Sequence, residues 1–360
     1  MRPRFCPALG TSRDMSTALA PRSGQASASW QWFNYVAGGV PRGRRVLRIN
    51  ADETAICMFQ GGGRGNVFLS KLEECQQHAP LSQRRTYITH VALICDDVSL
   101  QSLLPQYIIV GNRSVTAAEF AAAQAECPSN VVLVRQARAW NTGALMVRIV
   151  RRLRQCLESY WHAVAPVLLL DTARIHLTRA VFEACSSLGI AVVLVPPKLT
   201  WLLQPLDTDG FASFKHAVRC AHQAARIDAA GAGREIGVRC LIASICEGIR
   251  TVLNCRCWAA VFDRDGYGAA QALIGRRVRK HLEIDVDPVV AGARPSDAVL
   301  RHCFPARFKI PTALALQPEV VAGPRPAPPA ALRRSLRLRG LPPPPPAEHD
   351  AAHGAAASGA

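Results

Sequence analysis

Three aspartates lie in or next to the predicted secondary-structure elements and are the side chains best suited to chemistry. Asp52 lies in a strand-like segment, Asp171 follows an apolar run directly, and Asp207 precedes a helical pattern. A carboxylate at the end of a buried strand is costly unless it is paired, hydrogen-bonded or bound to a cation. Hard oxygen ligands suit Mg²⁺ or Mn²⁺, and two such ions can promote phosphodiester cleavage. Each aspartate taken alone is also compatible with a helix cap or a turn.

The segments around these aspartates alternate between strand and helix patterns. The predicted strands span 45–56, 86–97, 104–112, 166–171 and 190–197, and the predicted helices span 142–161, 176–189 and 211–226. An antiparallel meander followed by β-α-β units predicts an α/β protein with a mixed five-stranded sheet flanked by helices. This is the element order of a ribonuclease H-like fold. Ligand sites gather at the strand ends of such sheets, so the three aspartates are predicted to converge.

Composition divides the chain into three zones. Residues 1–29 show little pattern and are predicted to be disordered. Residues 30–285 carry the alternating elements and form the predicted catalytic domain with a C-terminal helical extension. Residues 286–360 are rich in Pro, Ala and Arg and are predicted to be a disordered tail. Its four clustered arginines indicate either a nuclear-import or nucleic-acid patch or a solvated basic tail: Arg333, Arg334, Arg337 and Arg339.

Charge and cysteine usage narrow the range of partners. The chain has 43 Lys and Arg against 26 Asp and Glu, a formal net charge of +17. Such an excess suits a polyanion such as DNA, although basic tails inflate it. The 13 cysteines include no CxxC pair, which favours reduced thiols in an intracellular protein. No apolar run approaches the roughly 20 residues of a membrane helix, so no membrane partner is expected.

Three sequence blocks resemble the signature blocks of the DDE superfamily endonucleases. They are NADET (50–54), LLLDTARIH (168–176) and VPPKLTWLLQPLDTDGFASFK (195–215). The closest resemblance is to the pogo-like, mariner-related transposases and their domesticated relatives, and it covers roughly residues 45–268. The third block matches the family pattern at the most positions: Pro196, Pro197, Thr200, Gln204, Pro205, Leu206, Asp207 and Lys215.

The resemblance implies a metal-dependent reaction on DNA. Asp52, Asp171 and Asp207 would be the catalytic, metal-binding triad and would hold Mg²⁺ or Mn²⁺, with two ions expected. The implied activity is DNA phosphodiester cleavage and strand transfer by a transposase-like endonuclease. The implied partner is DNA, the implied location is the nucleus, and the family is compatible with a homodimer.

Five further residues flank the matched motif positions. Glu53 and His176 would support the metal site or contact DNA, with a structural histidine as the alternative for His176. Arg174, Lys198 and Lys215 would contact the DNA backbone, and the arginines of helix 142–161 either hold phosphates or form a solvated face. The chain departs from the family pattern at two positions, where Thr172 replaces Asn and Arg174 replaces a small residue or Pro.

Two alternatives to the enzyme remain open. The first is a catalytically silent, transposase-derived protein that binds nucleic acid or chromatin. The second is a degenerate reading frame whose product has little activity. The pogo-like family carries N-terminal helix-turn-helix domains, whereas the segment before NADET shows no helical pattern, so a truncated or domesticated copy is expected.

Overall fold

The computed structural model describes residues 12–57, 87–233, 236–268, 274–283, 295–296 and 299. Most of the predicted tail, including its four clustered arginines, therefore lies outside the described residues.

Six strands form a single mixed sheet in the order β4-β3-β2-β1-β5-β6. The strands are β1 (Arg45–Cys57), β2 (Tyr87–Cys95), β3 (Gln106–Gly111), β4 (Val131–Gln136), β5 (Val164–Leu170) and β6 (Ala191–Leu194). β2 runs antiparallel to both β1 and β3, whereas the pairs β3–β4, β1–β5 and β5–β6 are parallel. The predicted α/β class and ribonuclease H-like arrangement are confirmed, but the sheet has six strands and not five.

Ten α-helices and several short helical segments flank this sheet within the described residues. They are α1 (Ser12–Gly38), α2 (Val98–Gln101), α3 (Ala117–Glu126), α4 (Gly143–Cys156), α5 (Arg179–Ser187), α6 (Thr200–Leu203), α7 (Phe211–Gly231), α8 (Val238–Gly248), α9 (Ala259–Phe262) and α10 (Arg276–Leu282). The chain tightens into a 3₁₀ turn at Glu158–Tyr160 and widens into π-helical turns at Leu206–Gly210, Ile249–Leu253 and Asp263–Tyr267. None of the described helices is both long and apolar enough to cross a bilayer.

The central strands are apolar because helices cover both faces of the sheet. All seven residues of β5 are buried, as are Val192, Val193 and Leu194 of β6. Continuous apolar runs of this kind are typical of parallel strands buried on both faces. The helix predicted over 142–161 forms α4, which buries Leu145, Ile149 and Leu153 on one stripe. The strand and the helix predicted from the spacing of apolar residues over 166–171 and 142–161 therefore agree with the structure.

One helix and one strand that were not predicted, α3 and β4, lie between β3 and α4. Thr116 caps α3 with its side chain, and Glu119 closes a capping box with the backbone of Thr116. This T-x-x-E pattern marks helix starts and was visible in the sequence. β4 follows at the sheet edge and pairs with β3 in the described part of the chain. The addition of β4 accounts for the difference between five strands and six.

The N-terminal segment also differs from the sequence expectation. Residues 1–29 were predicted to be disordered, whereas residues 12–29 lie within α1. The physical reason is burial of the later part of this helix against the edge strand β6 and the C-terminal helices. The Ser29 hydroxyl donates a hydrogen bond to the Leu194 carbonyl at 2.9 Å. The buried side chains of α1 are Ala26, Ala28, Ser29, Trp30, Trp32, Phe33 and Val36.

Candidate active site

Strand pairing places two of the predicted aspartates side by side. β1 and β5 are parallel, and Asn50 of β1 is opposite Leu169 of β5. Asp52 lies two residues beyond Asn50, and Asp171 lies two residues beyond Leu169, just past the end of β5. Continuing the register therefore brings Asp52 and Asp171 to neighbouring positions. Asp52 is 8% exposed, and Asp171 is partly exposed.

A buried asparagine connects this pair to the segment that carries the third aspartate. The Asn50 side chain is fully buried, and its Nδ2 donates a hydrogen bond to the Leu169 carbonyl at 3.1 Å. Its Oδ1 accepts a hydrogen bond from the Leu206 backbone N–H at 2.9 Å. Leu206 immediately precedes Asp207 in the chain. One amide group thus links β1, β5 and the chain leading into α7, and one aspartate of the predicted triad lies in or directly after each of these segments.

Asp207 lies on the first π-helical turn, Leu206–Gly210, and is exposed. Partial desolvation raises its pKa, and the negative charge of Asp171 adds to this rise. A hydrogen bond with the Thr200 side chain and the positive charge of Lys215 act in the opposite direction. Asp207 is therefore in electrostatic range both of another carboxylate of the predicted triad and of the lysine of its own sequence block.

The electrostatics of Asp52 show that the carboxylates are crowded. Burial raises the pKa of Asp52 well above its usual range, and the negative charges of Glu53, Asp207 and Asp171 raise it further. The Glu53 backbone N–H, which donates to Asp52 Oδ1 at 2.7 Å, only partly offsets this rise. Mutual repulsion in a poorly hydrated site is relieved by a cation. The oxygen donors present here fit a hard divalent ion such as Mg²⁺ or Mn²⁺.

These carboxylates do not form a closed coordination shell. Within the described residues, no group of three or more His, Cys, Asp or Glu side chains is arranged to hold a metal ion. Asp171 is instead engaged by His176, which limits the freedom of its carboxylate. The structure therefore brings Asp52, Asp171 and Asp207 into one electrostatically coupled cluster with the chemistry of a metal site but without its ligand geometry.

His176 bridges two acidic side chains. Its Nδ1 lies 2.6 Å from Asp171 Oδ1, and its Nε2 lies 3.2 Å from Glu53 Oε1. Burial by itself would lower the pKa of His176, but the hydrogen bonds to Asp171 and Glu53 outweigh burial and raise it to about 10. Asn141 also donates a hydrogen bond to Glu53. His176 therefore links Asp171 to Glu53 and orders both side chains.

The remaining predicted contact residues differ in exposure. Arg174 and Lys198 are exposed, and Lys215 is half-buried with its Nζ 5.7 Å from the centre of the Phe211 ring. On α4, Arg148, Arg151 and Arg152 are exposed. Arg154 of the same helix stacks over the Trp161 ring at 4.0 Å and pairs with Glu158, so it is part of the packed structure.

Lys198 has a left-handed backbone with a φ of 65°. This conformation costs a non-glycine residue about 1–2 kcal/mol of folding free energy, a cost that glycine avoids. Glycine in turn makes the unfolded chain more flexible, which offsets about 0.5–1 kcal/mol of that gain in stability. We therefore expect Lys198→Gly to be about 0.5–1 kcal/mol more stable than Lys198→Ala in urea unfolding. Both variants lack the ammonium group and should weaken DNA binding equally, which a salt-dependent binding titration measures. Equal stabilities of the two variants would contradict the assignment of backbone strain to Lys198.

A second polar network anchors the turn that carries Asp207. Asp209 accepts hydrogen bonds from Arg256 at 2.6 Å and from Arg264 at 3.3 Å. The Thr208 hydroxyl donates to Asp265, whose pKa is raised to about 6 by burial although Thr208 and Arg264 oppose the rise. These contacts fasten the turn to the C-terminal helices.

Sequence reasoning assigned no role to several residues that organise the site. They are Asn50, Asn141, Thr200, Thr208, Asp209, Arg256, Arg264 and Asp265. Two signals for them were available: Asn50 lies within the quoted NADET block, and Thr208 and Asp209 follow QPLD directly. Their partners lie far away in sequence, so a local pattern does not reveal which contacts they make.

Comparison with known proteins gives one family match and a small number of structural similarities. One solved structure described as "Mos1 transposase paired-end complex with left transposon end" has a TM-score of 0.36 at 14% identity. Another, "Crystal structure of the Mos1 mariner paired end complex with Mn", has a TM-score of 0.34 at 15% identity. Each similarity covers 74% of this chain, and the chain spans 66% of the solved one. No curated protein is significantly similar to the chain.

The family match covers the part of the chain that contains two of the three aspartates. The matching model is described as "DDE superfamily endonuclease" and spans residues 89–249. It includes Asp171, His176 and Asp207, whereas Asp52 precedes it. Residues 89–249 thus match the DDE superfamily endonuclease domain.

Proposed function

We propose that this protein is a pogo-like, transposase-type endonuclease that cleaves DNA phosphodiester bonds and transfers strands with the help of divalent metal ions. The observation that carries the proposal is the electrostatic coupling of Asp52, within β1, to Glu53, to Asp207 and to Asp171 just past the end of β5. A buried carboxylate close to three others is costly unless it is protonated or bound to a cation. The family match of residues 89–249 supports the same reaction class.

In this proposal Asp52, Asp171 and Asp207 would hold two divalent ions, either Mg²⁺ or Mn²⁺. When bound, such ions would stabilise the negative charge that develops on the phosphate oxygens during an in-line displacement. His176 restrains the Asp171 carboxylate through the 2.6 Å hydrogen bond and orders Glu53 from its other ring nitrogen. Asn50 keeps the three aspartate-bearing segments together through its two hydrogen bonds.

The substrate proposed is duplex DNA. Arg174 and Lys198 are exposed beside the aspartates in their sequence blocks, and Lys215 lies within electrostatic range of Asp207. Cations of this kind neutralise backbone phosphates without reading the sequence. A nuclear location and a homodimer complete the proposal, because a transposase acts on chromosomal DNA and joins two ends.

The decisive experiment is metal-dependent cleavage of labelled duplex DNA by the full chain. We expect cleavage with Mg²⁺ or Mn²⁺ and none with excess chelator, because the carboxylates repel one another without a cation. A parallel thermal melt should show stabilisation by Mn²⁺, about 2.7 kcal/mol at one hundred times the dissociation constant. If no metal-dependent cleavage is found and Mn²⁺ does not raise the melting temperature, the proposed endonuclease activity is rejected.

A specific observation favours a second candidate, a catalytically silent DNA-binding protein. Within the described part of the chain no three His, Cys, Asp or Glu side chains are arranged to hold a metal ion, and His176 engages Asp171. This candidate predicts salt-dependent DNA binding with a slope set by the number of phosphate contacts and no nicking at any metal concentration. Binding and cleavage measured on the same DNA therefore separate the two functions.

A further inference from the structure

Two cysteine thiols face each other at the contact between α3 and α8. Cys127 ends α3, and Cys246 lies in the last part of α8. Their Sγ atoms are 3.9 Å apart, although the residues are separated by 119 positions in the sequence. None of the site residues described above takes part in this contact.

Local structure holds Cys127 in place. It is followed by Pro128, and a residue before proline is driven into an extended conformation. Cys127 accordingly has φ −68° and ψ 141°, which ends α3. The neighbouring Glu126 forms an ion pair with Arg239 of α8, with Arg239 Nε 3.0 Å from Glu126 Oε2. The two helices are thus joined by a second contact next to the thiols.

Small reagents can reach the thiols from solution. Cys127 and Cys246 both line an open pocket of about 220 Å³, together with Ile242, Glu247 and Arg250. Cys127 is half-buried and Cys246 is 9% exposed. Hydrogen peroxide is small enough to enter a pocket of this size, whereas a protein disulfide donor is not.

The hydrogen bond between the thiols makes their reactivities unequal. The Cys246 thiol donates a hydrogen bond to Cys127 Sγ, which lowers the pKa of Cys127 although partial burial opposes the effect. The same hydrogen bond and burial raise the pKa of Cys246. Because the thiolate is the nucleophile, Cys127 is the thiol expected to attack first and Cys246 the one that follows.

We propose that Cys127 and Cys246 form a peroxide-oxidisable dithiol whose product is a disulfide between α3 and α8. In the first step the Cys127 thiolate attacks one peroxide oxygen, the O–O bond breaks, and a sulfenic acid and water form once a proton is taken up. In the second step Cys246 attacks the sulfenic sulfur, the S–O bond breaks, and a second water leaves. Two thiols are oxidised and one peroxide is reduced to two waters.

The disulfide would covalently link α3 to α8, two helices that are far apart in the sequence. The sulfur atoms must approach from 3.9 Å to about 2.05 Å, which side-chain rotation and a small helix shift can supply. The bond closes a loop of 119 positions and so removes much conformational freedom from the unfolded chain. For a domain of this size the melting temperature should rise by about 5–10 °C on oxidation. This inference does not depend on the proposed nuclease activity.

The test uses the full chain, reduced and then treated with a small excess of hydrogen peroxide. Unreacted thiols are alkylated, and peptides are mapped by mass spectrometry under non-reducing conditions. We expect a cross-linked pair of peptides that contain Cys127 and Cys246, with the loss of two hydrogens. Melting of the oxidised and reduced protein should show the stabilisation in wild type and not in Cys127→Ser.

Cys220→Ser is the matched control because Cys220 is an exposed thiol on α7. This variant should retain both the cross-linked peptide and the shift in melting temperature. Cys127→Ser is the main variant because its half-buried position tolerates a hydroxyl better than that of Cys246. Recovery of Cys127 and Cys246 as alkylated thiols after peroxide treatment, or a disulfide of either with another cysteine, would overturn the proposal.

Discussion

Asp171→Asn is expected to reduce metal-dependent DNA cleavage by about 1,000-fold, which corresponds to about 4 kcal/mol of lost transition-state stabilisation. The substitution removes one negative charge from the carboxylate cluster. It keeps an oxygen that can accept the hydrogen bonds from the Ala173 N–H and from His176. The local turn should therefore persist, so that the loss measures the missing charge and not unfolding. Initial rates of cleavage of labelled duplex DNA in Mn²⁺ provide the measurement.

Asp228→Asn provides the matched control for this substitution. Asp228 is exposed in the last turn of α7, and Asp207 lies on the π-helical turn that leads into the start of that helix. The 21 residues of α7 span about 30 Å, so Asp228 is far from the cluster. The control should cleave DNA at the wild-type rate. Equal cleavage by Asp171→Asn and Asp228→Asn would show that Asp171 has no part in the chemistry.

Asn50→Leu is expected to lower the free energy of unfolding by about 2–4 kcal/mol and to abolish the stabilisation by Mn²⁺. The buried amide donates to the Leu169 carbonyl and accepts from the Leu206 N–H, and leucine can do neither. Leaving a buried donor without a partner costs about 1–3 kcal/mol. The segment before Asp207 then loses its hydrogen bond to β1, so Asp207 is no longer held close to Asp52 and Asp171. Urea unfolding and the Mn²⁺-induced shift in melting temperature measure the two effects.

Ile49→Ala separates positioning from simple destabilisation. Ile49 is the fully buried neighbour of Asn50 in β1, and its truncation costs a comparable amount, about 2–5 kcal/mol. This variant keeps the hydrogen bonds of Asn50 and should keep the Mn²⁺ shift at temperatures where it is folded. If both variants lose the shift to the same extent, Asn50 supports the fold without positioning the carboxylates.

Much of the central fold was predictable because its elements carry strong local patterns. The apolar run before Asp171 forms the buried strand β5, and the four-residue apolar spacing of 142–161 forms α4. The differences from prediction have two sources, a weak local signal at α1 and a capping box at α3 that was overlooked. α1 has little amphipathic pattern in its first half and is held by burial of Trp30 and its neighbours. α3 and β4 were missed although Thr116 and Glu119 form a recognisable capping box.

Some features of the candidate site were likewise predictable from the sequence, and others were not. The identities of Asp52, Asp171 and Asp207, and their places in or beside strands and helices, follow from the sequence and its motif blocks. Their mutual repulsion follows only from the folded chain, because it depends on burial and on distances between distant segments. The bridge from His176 to Asp171 and Glu53 likewise joins residues up to 123 positions apart.

The side chains available for chemistry and the class of fold that carries them can be read from the amino-acid sequence. Periodicity and motif spacing are local properties, and they are sufficient for both. The link that Asn50 forms between the three aspartate-bearing segments and the contact of Cys127 with Cys246 become visible in the folded chain alone. Such contacts depend on strand register and helix packing, which arise when the whole core is buried and no short stretch of sequence specifies them.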